Sequence, residues 1–265
     1  VGLLGQTACG GSVAAGTGDI DGGSKLDGAT PPTSLPYVGS VSLSDVAQTS
    51  GDQRYATAYF QATPTGAAGC SGTVAGACCF LPSSAPKAAS YVSAGQISIT
   101  NAGASLASLT WNGTNYQSAL PPTPWHAGDI FSIVASGGSV SGFSGSVTAP
   151  PSITGVSPAF SGAVVVSAGT DFVVSWTPMG AAGAEMGLTM SFVNGTSPDG
   201  SIGCTVEDSA GSITVPQAIL EGRKLHDQVT LTLERAILVS ASSANAQVTL
   251  YGSTSLESTG QLAAP

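Results

Sequence analysis

Charge is what this chain lacks most. Only 8% of its 265 residues are charged, against about 25% in a typical globular domain. Lys and Arg together number 6, Asp and Glu 15, for a formal net charge of -9. Six scattered basic residues cannot displace the counterions of a polyanion, so DNA and RNA are excluded as partners. An anionic membrane surface is disfavoured for the same reason. There are two histidines, and neither is followed by the Glu of an H-E-x-x-H metal helix. A phosphate-cradling G-x-x-x-x-G-K-[ST], a dinucleotide fingerprint and a G-x-S-x-G elbow are missing as well. No apolar run approaches the ~18 residues needed for a spanning helix.

What is present reads as β-structure. Hydrophobic residues make up 42%, enough for a core. Gly 36 and Pro 16 well exceed their usual combined share of about 12%. They fall between short runs that alternate with period two. In "QRYATAYFQA" Ala56, Ala58, Phe60 and Ala62 oppose Tyr55, Thr57, Tyr59 and Gln61. Ile97 and Ile99, then Phe131, Ile133 and Ala135, then Phe143 and Val147, continue the theme. "TAPPSITGVSPAF" marks a boundary, because its prolines cannot donate to a ladder. Beyond it Phe172, Val174 and Trp176 share a face, and Val229, Leu231 and Leu233 oppose Thr230, Thr232 and Glu234. "PQAILEGRKL", opened by Pro216, predicts one short helix. The expected fold is all-β: two tandem antiparallel Ig-like β-sandwich domains at residues 51–150 and 151–265, after a disordered tether. Trp176 and Cys204 give the second domain its immunoglobulin flavour, although no earlier Cys completes a sheet-to-sheet bridge there.

The opening residues carry an address. Val1, Leu3 and Leu4 read as the end of an apolar export signal, and Thr7-Ala8 places small residues before Cys9. Gly10-Gly11-Ser12 follows. This resembles the lipobox of bacterial lipoproteins, with Gln6 where Leu is commonest. The resemblance implies that residues 1–9 are a signal-peptide remnant and that Cys9 is acylated. The membrane is then a partner through that anchor. Gly10, rather than Asp, after the cysteine implies the outer membrane. Residues 10–50, dominated at first by Gly, Ser, Thr, Asp and Pro, read as a flexible linker. Asp19, Asp21 and Asp27 crowd a turn within it, but Gly23 and Thr30 occupy ligand positions of a calcium loop. No metal and no cofactor is expected.

Setting Cys9 aside leaves Cys70, Cys78, Cys79 and Cys204, an even set that suits an oxidising compartment. The adjacent pair rarely bridge each other, since their Cα atoms stand only ~3.8 Å apart. Cys70 can meet one of them across "SGTVAGA", and the remaining thiol meets Cys204 or stays free.

The stretches "FVVSWTP", "IGCTVEDSAGSITVPQAIL" and "LTLERA" are similar to a C-terminal domain recurring in secreted proteins and lipoproteins of myxobacterial type. "HAGDIFSIVASGGSVSGFSGSVTAPP" looks like the segment preceding it there. This resemblance spans roughly residues 55–260 and implies an exported two-domain β architecture without an assigned activity.

Two loop histidines, His126 beside Asp129 and His226 beside Asp227, are the available bases. Neither neighbours a nucleophile motif, so both read as exposed loop residues and no catalytic set is assigned. Trp111, Tyr116 and Trp125 fall in one loop-rich stretch and form a candidate sugar-stacking surface, with capping of the first core as the simpler role. Asn112 and Asn194 begin Asn-Gly-Thr triplets that serve as turns. The expected role is non-catalytic: a cell-envelope or extracellular lipoprotein for adhesion, structure or partner binding through loops of its sandwiches. A protein or a polysaccharide is the expected partner. The alternative is a carbohydrate-binding module or an accessory protein to a secreted hydrolase.

Overall fold

A computed structural model describes residues 35–48, 51–63, 72–83, 90–121, 125–180, 183–194, 197–221, 223 and 228–263. Sixteen strands follow one another: β1 (Tyr37–Ala47), β2 (Gln53–Ala62), β3 (Val74–Ala75), β4 (Cys78–Leu81), β5 (Ile97–Asn101), β6 (Ala104–Leu109), β7 (Tyr116–Ala119), β8 (Ile130–Ala135), β9 (Phe143–Thr148), β10 (Val164–Ser167), β11 (Phe172–Ser175), β12 (Ala184–Asn194), β13 (Ser197–Glu207), β14 (Ser212–Val215), β15 (Gln228–Ser242) and β16 (Ala246–Ala263). One helical turn, α1 (Gln217–Leu220), sits between β14 and β15 with Pro216 as its N-cap.

The longest elements organise the rest. β15 and β16 form an antiparallel ribbon in register from Gln228↔Gln261 to Ser242↔Gln247. At about 3.3 Å per residue the 18-residue β16 spans nearly 60 Å. β1 lies parallel to the first part of β16, from Tyr37↔Ala246 to Ala47↔Leu256. β12 pairs with the opposite half of β15, from Val193↔Gln228 to Ala184↔Ile237. The result is one ten-stranded sheet in the order β3-β4-β13-β12-β15-β16-β1-β2-β7, with β10 also pairing with β16. A four-stranded sheet, β6-β5-β8-β9, and a two-stranded one, β11-β14, complete the fold.

Alternation decides which face is dry. On β16 Val248, Leu250 and Leu262 point inward, and on β15 Val229, Leu231 and Leu233 do so. Two cores result. One gathers Leu43, Phe60, Val248 and Leu250 against Ile97, Phe131, Ile133 and Phe143 of the four-stranded sheet. The other gathers Met186, Leu188, Leu231 and Leu262 against Phe172, Val174, Trp176 and Ile213. Full burial of each such side chain contributes about 1.5–3 kcal/mol. In the β1–β2 pair the Phe60 ring lies over the facing Gly39, which has no side chain; a Cβ there would lie 2.1 Å from Phe60 Cδ1.

Two expectations change. The linker assigned to residues 10–50 ends early: Tyr37–Ala47 is a strand, with Val41 and Leu43 fully buried. Its serines hide the pattern, yet Val41 and Leu43 keep period two. The cores also draw on both sides of residue 150. Cys78 and Phe80 pack in the core that is mostly C-terminal, and Ala246, Val248 and Leu250 pack in the other. Residues 1–34, and with them Cys9, lie outside the described residues.

Candidate functional site

The cysteines come first, because they fix the edge of the large sheet. Cys78 on β4 stands directly opposite Cys204 on β13, and the two form a disulfide with sulfurs 2.04 Å apart. Successive residues of a strand point to opposite faces, so Cys79 cannot share that partner. Cys79 is itself disulfide-bonded, and Cys9 and Cys70 lie outside the described residues. The Cys78–Cys204 bridge joins neighbouring strands of one sheet. It is therefore not the sheet-to-sheet bridge of an antibody domain.

Charge is used sparingly and mostly for structure. Arg235 and Asp208 form an ion pair whose side chains are 2% and 1% exposed. Arg235 Nε and Nη2 both reach Asp208 Oδ1, at 3.0 and 2.9 Å. The rest of the guanidinium donates to the carbonyls of Ser152, at 3.0 Å, and Thr177, at 2.7 Å. Asp208 Oδ2 accepts from Met179 N at 2.6 Å, and the Asp208 carbonyl accepts from Trp176 Nε1 at 3.0 Å. The pair thus ties the segment entering the second half, the loop after β11 and the turn after β13 to the central ribbon. Sequence reasoning missed it, although the signal was there: Arg235 is the next inward position after Val229, Leu231 and Leu233.

Of the acid–base candidates, His126 and Asp129 are among the described residues. His126 is 87% exposed, its Nδ1 3.9 Å from Asp129 Oδ2, and that oxygen also accepts the His126 backbone N–H at 2.8 Å and Asn101 Nδ2 at 3.3 Å. That carboxylate caps a loop leading into β8. His226 and Asp227 lie outside the described residues. Among the described residues, no three His, Cys, Asp or Glu side chains are grouped to hold a metal ion.

The candidate aromatic surface divides. Tyr116 is fully buried, and its hydroxyl donates to Gly95 O at 2.7 Å while accepting from Ala94 N at 2.8 Å. It presents no face to a sugar, which corrects that assignment: it holds the 93–95 turn to the core. Trp111 rests on Tyr116 at 5.2 Å between centroids and Trp125 on Phe131 at 5.0 Å, both half-buried against the first core. Asn112 makes the expected turn, its Oδ1 accepting from the backbone of Thr114 and Asn115.

A different surface gathers polar chemistry. The face of the ten-stranded sheet that points away from both cores carries a row running Glu207, Glu185, Ala236, Ser253, Ser44, Tyr55 across six strands. Tyr251, Ser42 and Thr57 lie on the row to one side of it, and Glu234 and Ser255 on the row to the other side. Small side chains form the floor, with Ser44 and Ser253 almost fully buried between larger neighbours. Ser253 Oγ donates to Ser44 Oγ at 3.1 Å, while Tyr55 hydrogen-bonds with Ser44 and Glu234 with Ser253.

Burial sets the acidity of this face. It pushes the Glu234 carboxyl up, with the Ser253 hydrogen bond opposing. It pushes Glu185 up too, helped by Glu207 directly across the strands. The Tyr55 phenol rises through burial and then the negative charge of Glu234, and Tyr251 rises chiefly through burial. The described basic side chains are committed elsewhere: Arg54 to Asp45, Arg223 over the Phe80 ring at 3.6 Å, and Arg235 to Asp208. Such a face can exchange hydrogen bonds with a polar partner and repels an anionic one.

No family model matches the chain, and no curated protein matches it. Among solved structures it is similar to DIP-gamma IG1+IG2, at 8% identity over 87% of this chain and 97% of that one, with a TM-score of 0.23. It is also similar to chicken CNTN1 FN1-FN3 domains, at 11% identity over 83% of this chain and 65% of that one, with a TM-score of 0.22. The likeness is to β-sandwich modules of the immunoglobulin and fibronectin type, and at these scores it carries no argument about family or activity.

Proposed function

We propose that this chain is a non-catalytic lipoprotein of the bacterial cell envelope that binds a partner through the surface of its β-sandwiches. One observation carries the reading. The buried Asp208–Arg235 pair is spent on architecture, while the broad polar sheet face offers hydrogen-bonding groups to a partner. The anchoring part rests on the lipobox-like stretch ending at Cys9. Acyl chains on that residue would hold the protein at a bilayer, at about 0.8 kcal/mol per buried CH₂.

The chain enters the fold at Tyr37, whose N–H donates to the Asn245 carbonyl in the turn joining β15 to β16. The far end of β16 lies about 60 Å away along the ribbon. Fatty-acid labelling of cells producing the wild type and Cys9→Ala tests the anchor. Label and membrane fractionation are both expected to be lost in the variant; a variant that keeps its label overturns the reading.

A further inference from the structure

The end of the ribbon far from Tyr37 has a groove. It is half-open, about 340 Å³ in volume, and lies where β10 meets β16. This is the lower end of the size range of small-ligand sites, about 300–1,000 Å³. Its lining includes Ala163, Gln228, Thr230, Thr259, Gly260 and Gln261. Gln228 and Gln261 are cross-strand partners, and Thr230 and Thr259 form the next pair on the same face. Between Thr259 and Gln261, Gly260 faces the other way, toward the core, where a Cβ would meet Val164 O at 2.1 Å and Leu231 Cδ1 at 3.4 Å.

We propose that this groove binds an uncharged, hydroxyl-rich ligand, a short stretch of neutral polysaccharide. A primary amide offers a donor and an acceptor side by side, which matches a pair of adjacent hydroxyls. Here two amides face each other across the ribbon, with two hydroxyls one row behind them. No lining residue ionises. The next same-face pairs bring Glu257 and then Glu234. These carboxylates disfavour an acidic glycan extending along the face. The site differs from the Trp111–Trp125 stretch, which packs on the other core. It rests on the partner-binding reading above and supplies a ligand class for it.

The test uses the full chain and calorimetric titration with tetramers of glucose in α-1,4 and β-1,4 linkage and of N-acetylglucosamine, beside tetragalacturonate. At least one neutral tetramer binds, and tetragalacturonate does not. Gln228→Ala/Gln261→Ala weakens that binding about 10-fold or more, the loss of one to two hydrogen bonds, with an unchanged melting temperature. Thr230→Val/Thr259→Val, which keeps the strand shape, weakens it as well. The proposal is overturned if no neutral tetramer binds, if both double variants bind like the wild type, or if tetragalacturonate binds equally. If Cys9 is acylated yet no glycan binds, the lipoprotein reading stands and this one falls. If glycan binds and Cys9 is not acylated, the reverse holds.

Discussion

Replacing Arg235 with Met is the sharpest test of how this fold is held. Met keeps most of the volume but removes the charge and every donor. Asp208, with 1% of its side chain exposed, keeps its hydrogen bond from Met179 N and loses its counter-charge. The carbonyls of Ser152 and Thr177 lose their donor too. Breaking a buried pair from one side costs about 3–5 kcal/mol, because the remaining charge is stranded. That is a third or more of the ~5–15 kcal/mol that stabilises a typical protein. At ~2–4 °C per kcal/mol for a chain of this size, the melting temperature falls by roughly 6–20 °C. Urea titration followed by tryptophan fluorescence measures it, with Trp176 bonded to the Asp208 carbonyl as the local reporter. The double variant Asp208→Asn/Arg235→Met removes the stranded charge and recovers part of the loss. Salt up to 1 M leaves the single-variant penalty nearly unchanged, since buried pairs are poorly screened. An Arg235→Met protein within 1 kcal/mol of wild type would refute the argument that this pair pins the second core.

Other outcomes follow from the same contacts. Glu234 has a folded-state pKa above its ordinary 4.5, so the folded chain holds more protons between those values and stability falls as pH rises through that window. Glu234→Gln is therefore more stable than wild type at neutral pH, and the gain disappears below about pH 4.5; urea midpoints across pH 4–8 would show it, and a gain that persists at pH 4 contradicts it. Removing the Cys78–Cys204 bridge by a double Ala substitution releases a loop of sequence separation 126, worth about 4–5 kcal/mol in the chain-entropy model, read as a lower denaturation midpoint under oxidising conditions. Tyr116→Phe takes the hydroxyl from Ala94 N and Gly95 O and costs about 1–3 kcal/mol, with faster amide exchange at Ala94 than in the wild type.

How much was legible in the sequence varies by element. Period two placed the inward side chains of β2, β5, β8, β11 and β15, because alternation is a property of one strand and needs no partner. It also carried the signals for Arg235 and for β1, which composition concealed behind serines. The short helix at Gln217–Leu220 was foretold by Pro216. The candidate site was far less legible. Tyr116 looked like a loop aromatic until its hydroxyl was found inside, and the Tyr55–Ser44–Ser253–Glu234 network joins four strands that no local pattern associates.

The order of residues alone determined that this chain would be a low-charge β protein whose strands such as β2, β8 and β15 alternate inward and outward side chains, since side-chain period and burial act within a few residues. Only the tertiary structure decided which strands are neighbours. A parallel pairing of β1 with β16, more than 200 residues away in sequence, depends on loop closure and on the packing of two cores along one shared ribbon. Such nonlocal energies leave no trace in any short stretch of sequence.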